Sequence, residues 1–196
     1  EDCWGRSLWG FGVAAALHSN PAVRRWAQRS FDKGVRQRSR WTRAMVFAAL
    51  GAVEVAAVAP DHTQARALLN DMLTMIGPLP TDGAIWPEPR LQYANASVAE
   101  AVMAAGLALG RPLEVDRGLR MLAWLLALET RDGHLSVTGV GGRDIHDRAK
   151  QFDQQPIEVA AMADACWRAH VISGDASWVH GVTAAAAWFH GDNDSG

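Results

Sequence analysis

The chain has 196 residues, 49% of them hydrophobic, and a formal net charge of −2. That length suits one domain or a piece of one, the apolar content excludes a disordered chain, and the near-neutral charge gives no reason to expect a nucleic-acid or membrane partner. With only Cys3 and Cys166 available for a disulfide, the composition points to a reducing compartment and a cytoplasmic protein.

Apolar residues recur at three- and four-residue spacing across most of the chain and two-residue alternation is almost absent, which predicts helices. The first is expected at 4–19, behind Glu1 and Asp2; because the chain starts without Met inside what reads as a motif, a fragment of a longer protein is expected. Asn20-Pro21 leads into a second helix at 21–33. Its run of Arg24, Arg25, Arg29, Lys33, Arg36, Arg38, Arg40 and Arg43 reads as the solvated face of an outer helix and its connection, rather than as an anion-binding surface. The third helix, at 41–59, holds an apolar stretch from Ala44 to Pro60. That stretch contains Glu54 and falls short of the roughly 20 residues that span a bilayer, so it is expected to be buried. Pro60-Asp61 precedes a fourth helix at 62–76, whose Gln64, Arg66, Asn70 and Asp71 form a polar stripe. Further helices are expected at 95–109, 112–128, 156–173 and 176–190, separated by Gly110-Arg111-Pro112 and Gly174-Asp175 where turns are short. Gly accepts the left-handed conformation after a helix, Asp caps the next one, and Pro suits a first turn.

The eight helices pair into four hairpins. A shift of 64 residues brings Gly110 onto Gly174, Ala101 onto Ala165, Ala105 onto Ala169 and Trp124 onto Trp188, as copies of one unit would. In each pair the first helix is apolar nearly all round and the second is amphipathic, which predicts an inner layer wrapped by an outer one. The expected fold is all-α: a single domain over 1–196, an α/α toroid or an open solenoid, with four hairpins where a full toroid has six. Such an open layer predicts self-association through its edges. The long connections, 77–94 and 129–155, fall on the rim that carries the N-termini of the inner helices. Long connections are functional or disordered. Trp86, Tyr93, His134 and Phe152 argue against disorder here.

Three clusters on that rim carry the chemistry. Glu1, Asp2, Trp4 and Arg6, leading into Trp9, offer carboxylates beside an Arg and stacking platforms for a sugar ring. The plainer alternative is that Asp2 caps the helix, Arg6 pairs with it and the tryptophans are core. Trp86, Glu88, Tyr93 and Asn95 sit in a loop stiffened by Pro80, Pro87 and Pro89, although Asn95 also reads as an N-cap and Ser97 with Glu100 as a capping box. In the third cluster, Phe152-Asp153-Gln154-Gln155-Pro156-Ile157-Glu158, Pro156 is placed as a first helical residue and Glu158 as a local capping partner, while Asp153 and Gln154 project ahead of the helix.

The seven histidines and two cysteines lack metal-ligand spacing. Neither a phosphate loop nor a nucleophile elbow is present, and Gly139-Val140-Gly141-Gly142 reads as flexible loop. No metal and no cofactor are expected. Mid-helix Cys166 reads as a small buried hydrophobe.

Taken together, Glu-Asp-x-Trp-Gly-Arg-x-Leu-Trp at 1–9, Tyr-x-Asn-Ala at 93–96 and Phe-Asp-Gln-Gln-Pro-Ile-Glu at 152–158 resemble bacterial (α/α)6-toroid proteins of the six-hairpin glycosidase-like group. Members are often labelled glycosyltransferases or carbohydrate enzymes. The resemblance implies a carbohydrate substrate and a glycoside hydrolase, with Asp2 and Asp153 or Glu88 as acid and base. Glu1, Trp4, Arg6, Trp86, Tyr93, Asn95, His134, Gln154 and Gln155 are the expected sugar-binding residues. A sugar epimerase using His134, or a silent glycan- or protein-binding scaffold, are the alternatives. One departure bears on activity: Ala94 and Ser97 stand where the resemblance leads one to expect Asp and Arg.

Overall fold

A computed structural model describes residues 1–78 and 85–195, so Pro80 lies outside the described residues. Eight α-helices dominate, and the only strands among the described residues are four of two residues each. The chain packs as two compact units, Glu1–Gly77 with Ala101–Val115, and Pro78–Glu100 with Asp116–Gly196. Among the described residues, no helix is long and apolar enough to cross a membrane.

The first unit contains α1 (Asp2–Leu17), α2 (Pro21–Gly34), α3 (Thr42–Val58) and α4 (Thr63–Ile76), with the end of α5 (Asn95–Leu109) and the start of α6 (Pro112–Leu128). Asn20 caps α2 by accepting from the Ala22 amide, and Pro21 opens it as the sequence predicts. Helices α1 and α3 pack backbone against backbone. A Cβ on Gly12 would overlap the Gly51 carbonyl, and one on Gly51 would overlap the Leu8 carbonyl, so the crossing needs both glycines. As the all-round apolar pattern requires, α3 is buried along nearly its whole length, whereas α4 buries one stripe through Ala65, Leu68, Leu69, Met72 and Leu73. Helix α1 departs from the expectation. Only Gly5, Leu8, Gly12 and Ala15 are buried, while Val13 and Leu17 stay exposed along an open apolar groove of about 520 Å³.

The second unit contains the start of α5, most of α6, α7 (Pro156–Ser173), a single 3-10 turn at Ala176–Trp178, and α8 (Val179–Trp188). Gly174, at φ +72°, ends α7 in the left-handed conformation that the Gly174-Asp175 pair signals. Cys166 is buried against α8, where a Cβ on Gly181 would overlap its Sγ, and burial pushes the thiol up to about 12. The long connections carry the strands. β1 (Arg90–Leu91) pairs antiparallel with β4 (Arg143–Asp144), and β2 (Thr130–Arg131) with β3 (His134–Leu135) around an Asp132-Gly133 turn, both residues at positive φ. An isolated bridge between Gly139 and Gln154 ties the connection to the entry of α7.

Candidate functional site

The N-termini of α5 and α7 are joined by one carboxylate. Glu158 lies in the first turn of α7 yet does not cap it. Its Oε1 accepts from the Ala94 amide at 2.5 Å, and its Oε2 from the Asn95 amide and Asn95 Nδ2, each at 3.3 Å. The expected local capping role is therefore corrected: Glu158 serves α5. The reason is burial. Ala94 and Asn95 are buried and their amides need an acceptor, whereas at the start of α7 Gln155 is open to solvent and Pro156 has no N–H to satisfy. Asn95 is not a side-chain N-cap either. Its amide closes the preceding loop, accepting from the Gln92 N–H and donating to the Gln92 carbonyl. Glu100, read as half of a capping box, instead accepts from Arg168 Nε at 2.7 Å.

Behind this junction lies a buried polar network. Glu129 follows directly on α6 and is only 1% exposed. Its Oε1 accepts from the Thr138 amide at 2.9 Å and from Thr138 Oγ1 at 2.6 Å. Burial, and secondarily the charge of Glu158, outweigh the Thr138 hydrogen bonds and Arg143 and raise the Glu129 pKa to about 7. Buried Arg143 donates through Nη2 to the carbonyls of Ser136 and Val137. Glu129 thus exchanges its proton near neutrality, the property asked of an acid or base, but it is sealed from solvent.

A second cluster is closer to solvent. The Asp194 carboxylate, 2% exposed at its side chain, accepts from His134 Nε2 at 3.1 Å, Ser136 Oγ at 2.5 Å and Gln154 Nε2 at 2.7 Å, with Lys150 Nζ at 3.3 Å. Burial works against its charge, yet the bonds from Ser136, His134, Gln154 and Lys150 prevail and lower its pKa to about 2. Because an ionised carboxylate only accepts, the proton on His134 must sit on Nε2.

The structure brings together two of the expected sugar-binding residues, His134 and Gln154, with Asp153 beside them in sequence. Asp153 is exposed; its carboxylate lies over Gly139, where a Cβ would collide with it. Glu88 and Tyr93 are half-buried and Gln155 is exposed. Trp86 differs from the expectation: it is 1% exposed and stacked on Trp124 at 5.6 Å, so its ring offers no open face to a sugar. In the first unit, Glu1 accepts from Ser39 Oγ, Trp4 Nε1 donates to the Gly34 carbonyl at 3.1 Å, and Arg6 lies over the Phe47 ring at 4.2 Å. Asp2 is the first residue of α1, which begins two residues earlier than expected, and Glu1 occupies the N-cap position without a side-chain bond to the helix's own amides. Sequence reasoning missed Glu129, Arg143 and Asp194. A carboxylate at the end of the apolar run Leu125-Leu126-Ala127-Leu128 is the signal that could have found Glu129.

No protein-family model matches the chain, and no curated protein matches it either.

Proposed function

We propose that the chain is a carbohydrate-active protein, a glycoside hydrolase built on an incomplete (α/α) toroid, with Asp153 and Glu88 as the acid–base pair of the second unit. The observation that carries the reading is the Glu158 junction. It fastens the end of the loop bearing Glu88 and Tyr93 to the first turn of α7, which Asp153 and Gln154 precede, and this supports a shared site for the two motifs. Stiff loops with half-exposed carboxylates, a phenol and amides suit hydroxyl-rich ligands. Asp2 belongs to the first unit and is not required for this pair. The exposed apolar face of α1 supports an inner layer whose next hairpin is supplied elsewhere, by further chain or by a second copy.

The test is Asp153→Asn. Because the side chain is exposed, the substitution leaves the melting temperature unchanged, while loss of an acid or base lowers turnover by about 10²–10⁴-fold on any oligosaccharide the parent cleaves. An unchanged rate removes Asp153 from the mechanism. A second reading, a catalytically silent glycan-binding scaffold, is favoured by Ala94: at the place where the resemblance expects Asp, the chain has a buried methyl group. Glycan binding without release of reducing sugar across a broad panel selects that reading.

A further inference from the structure

Asp194 is held by four donors, and three of them stand on chain that is fixed by bonds other than those to Asp194. Gln154 accepts at Oε1 from Trp188 Nε1 at 3.0 Å and donates through Nε2 to the Gln151 carbonyl at 2.8 Å, which sets which end of the amide faces Asp194. Ser136 is anchored through its backbone, its N–H donating to the Glu129 carbonyl and its own carbonyl accepting from Arg143. His134 lies in β3, paired with Arg131 of β2. Lys150 Nζ stands 3.8 Å from Asp132 and keeps the cluster open to solvent on its side, at 36% side-chain exposure. The carboxylate arrives differently, on a turn after α8 whose backbone ties are local, from the Asp192 amide to the Ala187 carbonyl and from the Asn193 amide to the Gly191 carbonyl. The donors form a preorganised receptor, and the tethered carboxylate is its occupant.

We infer that Ser136, His134, Gln154 and Lys150 form a subsite for the carboxylate of an acidic sugar, a uronate, which the chain's own Asp194 fills when no ligand is bound. The chemistry is specific. An anion held by one ammonium, one imidazole N–H, one hydroxyl and one amide matches a carboxylate. Exposed Phe152, two residues before Gln154, offers an apolar surface for a ring, and exposed Asp153 stands between them. The inference rests on the glycan reading for the sugar, and it narrows that reading to acidic glycans. A tethered carboxylate competes at an effective concentration of millimolar order, so free uronate binds the parent weakly.

The experiment is calorimetric titration of the full chain and of Asp194→Ala with glucuronate, glucose and acetate. Removing the tethered competitor is expected to tighten glucuronate binding by about tenfold or more, with no glucose binding in either protein, and adding Lys150→Ala to Asp194→Ala is expected to cancel the gain. Two results overturn the inference: an Asp194→Ala chain with the parent's circular dichroism that prefers glucuronate to neither glucose nor acetate, or a gain that survives loss of Lys150. Should Asp194→Ala not fold, Asp194→Asn keeps the shape without the charge and is read by the same criteria. If neither variant folds, Asp194 is a structural clasp and the inference fails. Cleavage of neutral oligosaccharides by a parent whose variants never bind uronate overturns this inference alone. Uronate binding with no cleavage of any glycan counts against the hydrolase alone.

Discussion

Replacing Glu158 with Ala tests whether its carboxylate is what holds the entry of α5 against the first turn of α7. The substitution leaves the amides of Ala94 and Asn95, respectively 1% and 0% exposed, without their acceptor. Each orphaned buried amide costs about 1–3 kcal/mol, and loss of the negative charge at the α5 N-terminus adds about 0.5–1 kcal/mol. Asn95 Nδ2 keeps the Gln92 carbonyl and adds little. The expected cost is about 4 kcal/mol, a large share of the 5–15 kcal/mol typical of a domain. Glu158→Gln should cost about half as much, since its carbonyl still accepts one amide while its NH₂ faces the other donor. Urea denaturation near pH 6, where Glu129 is largely protonated, avoids counting the relief of the repulsion between Glu129 and Glu158. Hydrogen exchange then locates the damage: faster exchange is expected at Ala94 and Asn95, with the start of α7 unaffected. A cost below about 1 kcal/mol, or loosening at Gln155–Glu158 rather than at α5, refutes the reasoning.

Glu129 makes stability fall with rising pH. Burial raises its pKa from 4.5 to about 7, so over that interval the folded chain holds a proton that the unfolded chain releases. The slope approaches 1.4 kcal/mol per pH unit, amounts to about 3 kcal/mol in all, and flattens above pH 7. Glu129→Gln should abolish the slope, and the same slope in parent and variant refutes the assignment. Asp194 acts in a lower window: its stabilising effect is complete above about pH 4 and is lost as pH falls toward about 2, so the two effects separate in one titration. Ala94→Gly should be neutral within about 0.5 kcal/mol, because relief of the left-handed conformation at φ +48° offsets the lost methyl burial and the added chain entropy. Ala96→Gly, in α5 and equally buried, has no such relief and should cost about 1–2 kcal/mol by the same denaturation assay.

The helices were legible because their ends are written locally. Pro112–Leu128 and Pro156–Ser173 begin at their prolines, the latter ends before Gly174, and α5 occupies Asn95–Leu109 as its apolar run predicts. At the last helix the expectation of one element at 176–190 met a 3-10 turn over Ala176–Trp178, since Asp175 caps that turn by accepting from the Ser177 amide before α8 starts. The first helix was placed late because Glu1 and Asp2 look like a capping segment, whereas no side-chain cap forms and the helix takes in Asp2. The polar networks were not legible. Ser136 and Asp194 stand 58 positions apart, and Ala94 and Glu158 stand 64 apart, so no periodicity links them. The capping-box pattern at Ser97 and Glu100 misled for the same reason: local matching finds a near partner, while a buried carboxylate takes whichever donor the fold brings, here Arg168.

The long connections bury Trp86, Leu91, Leu135 and Val137, and polar contacts hold them as well. Glu129 grips Thr138, Arg143 grips the carbonyls at 136 and 137, Glu158 grips the entry to α5, and Gln151 spans the Gly139 amide and the Gly142 carbonyl. These bonds satisfy backbone groups that a buried loop would otherwise leave orphaned, which is why irregular chain can be as well placed as a strand. The arrangement has an electrostatic condition: burial, with the charge of Glu158 adding to it, favours the protonated form of Glu129 over the opposing pull of the Thr138 hydrogen bonds and Arg143. Arg143 also holds the Ser136 carbonyl, and Ser136 is one of the Asp194 donors, so the buried network and the solvent-facing cluster share a residue.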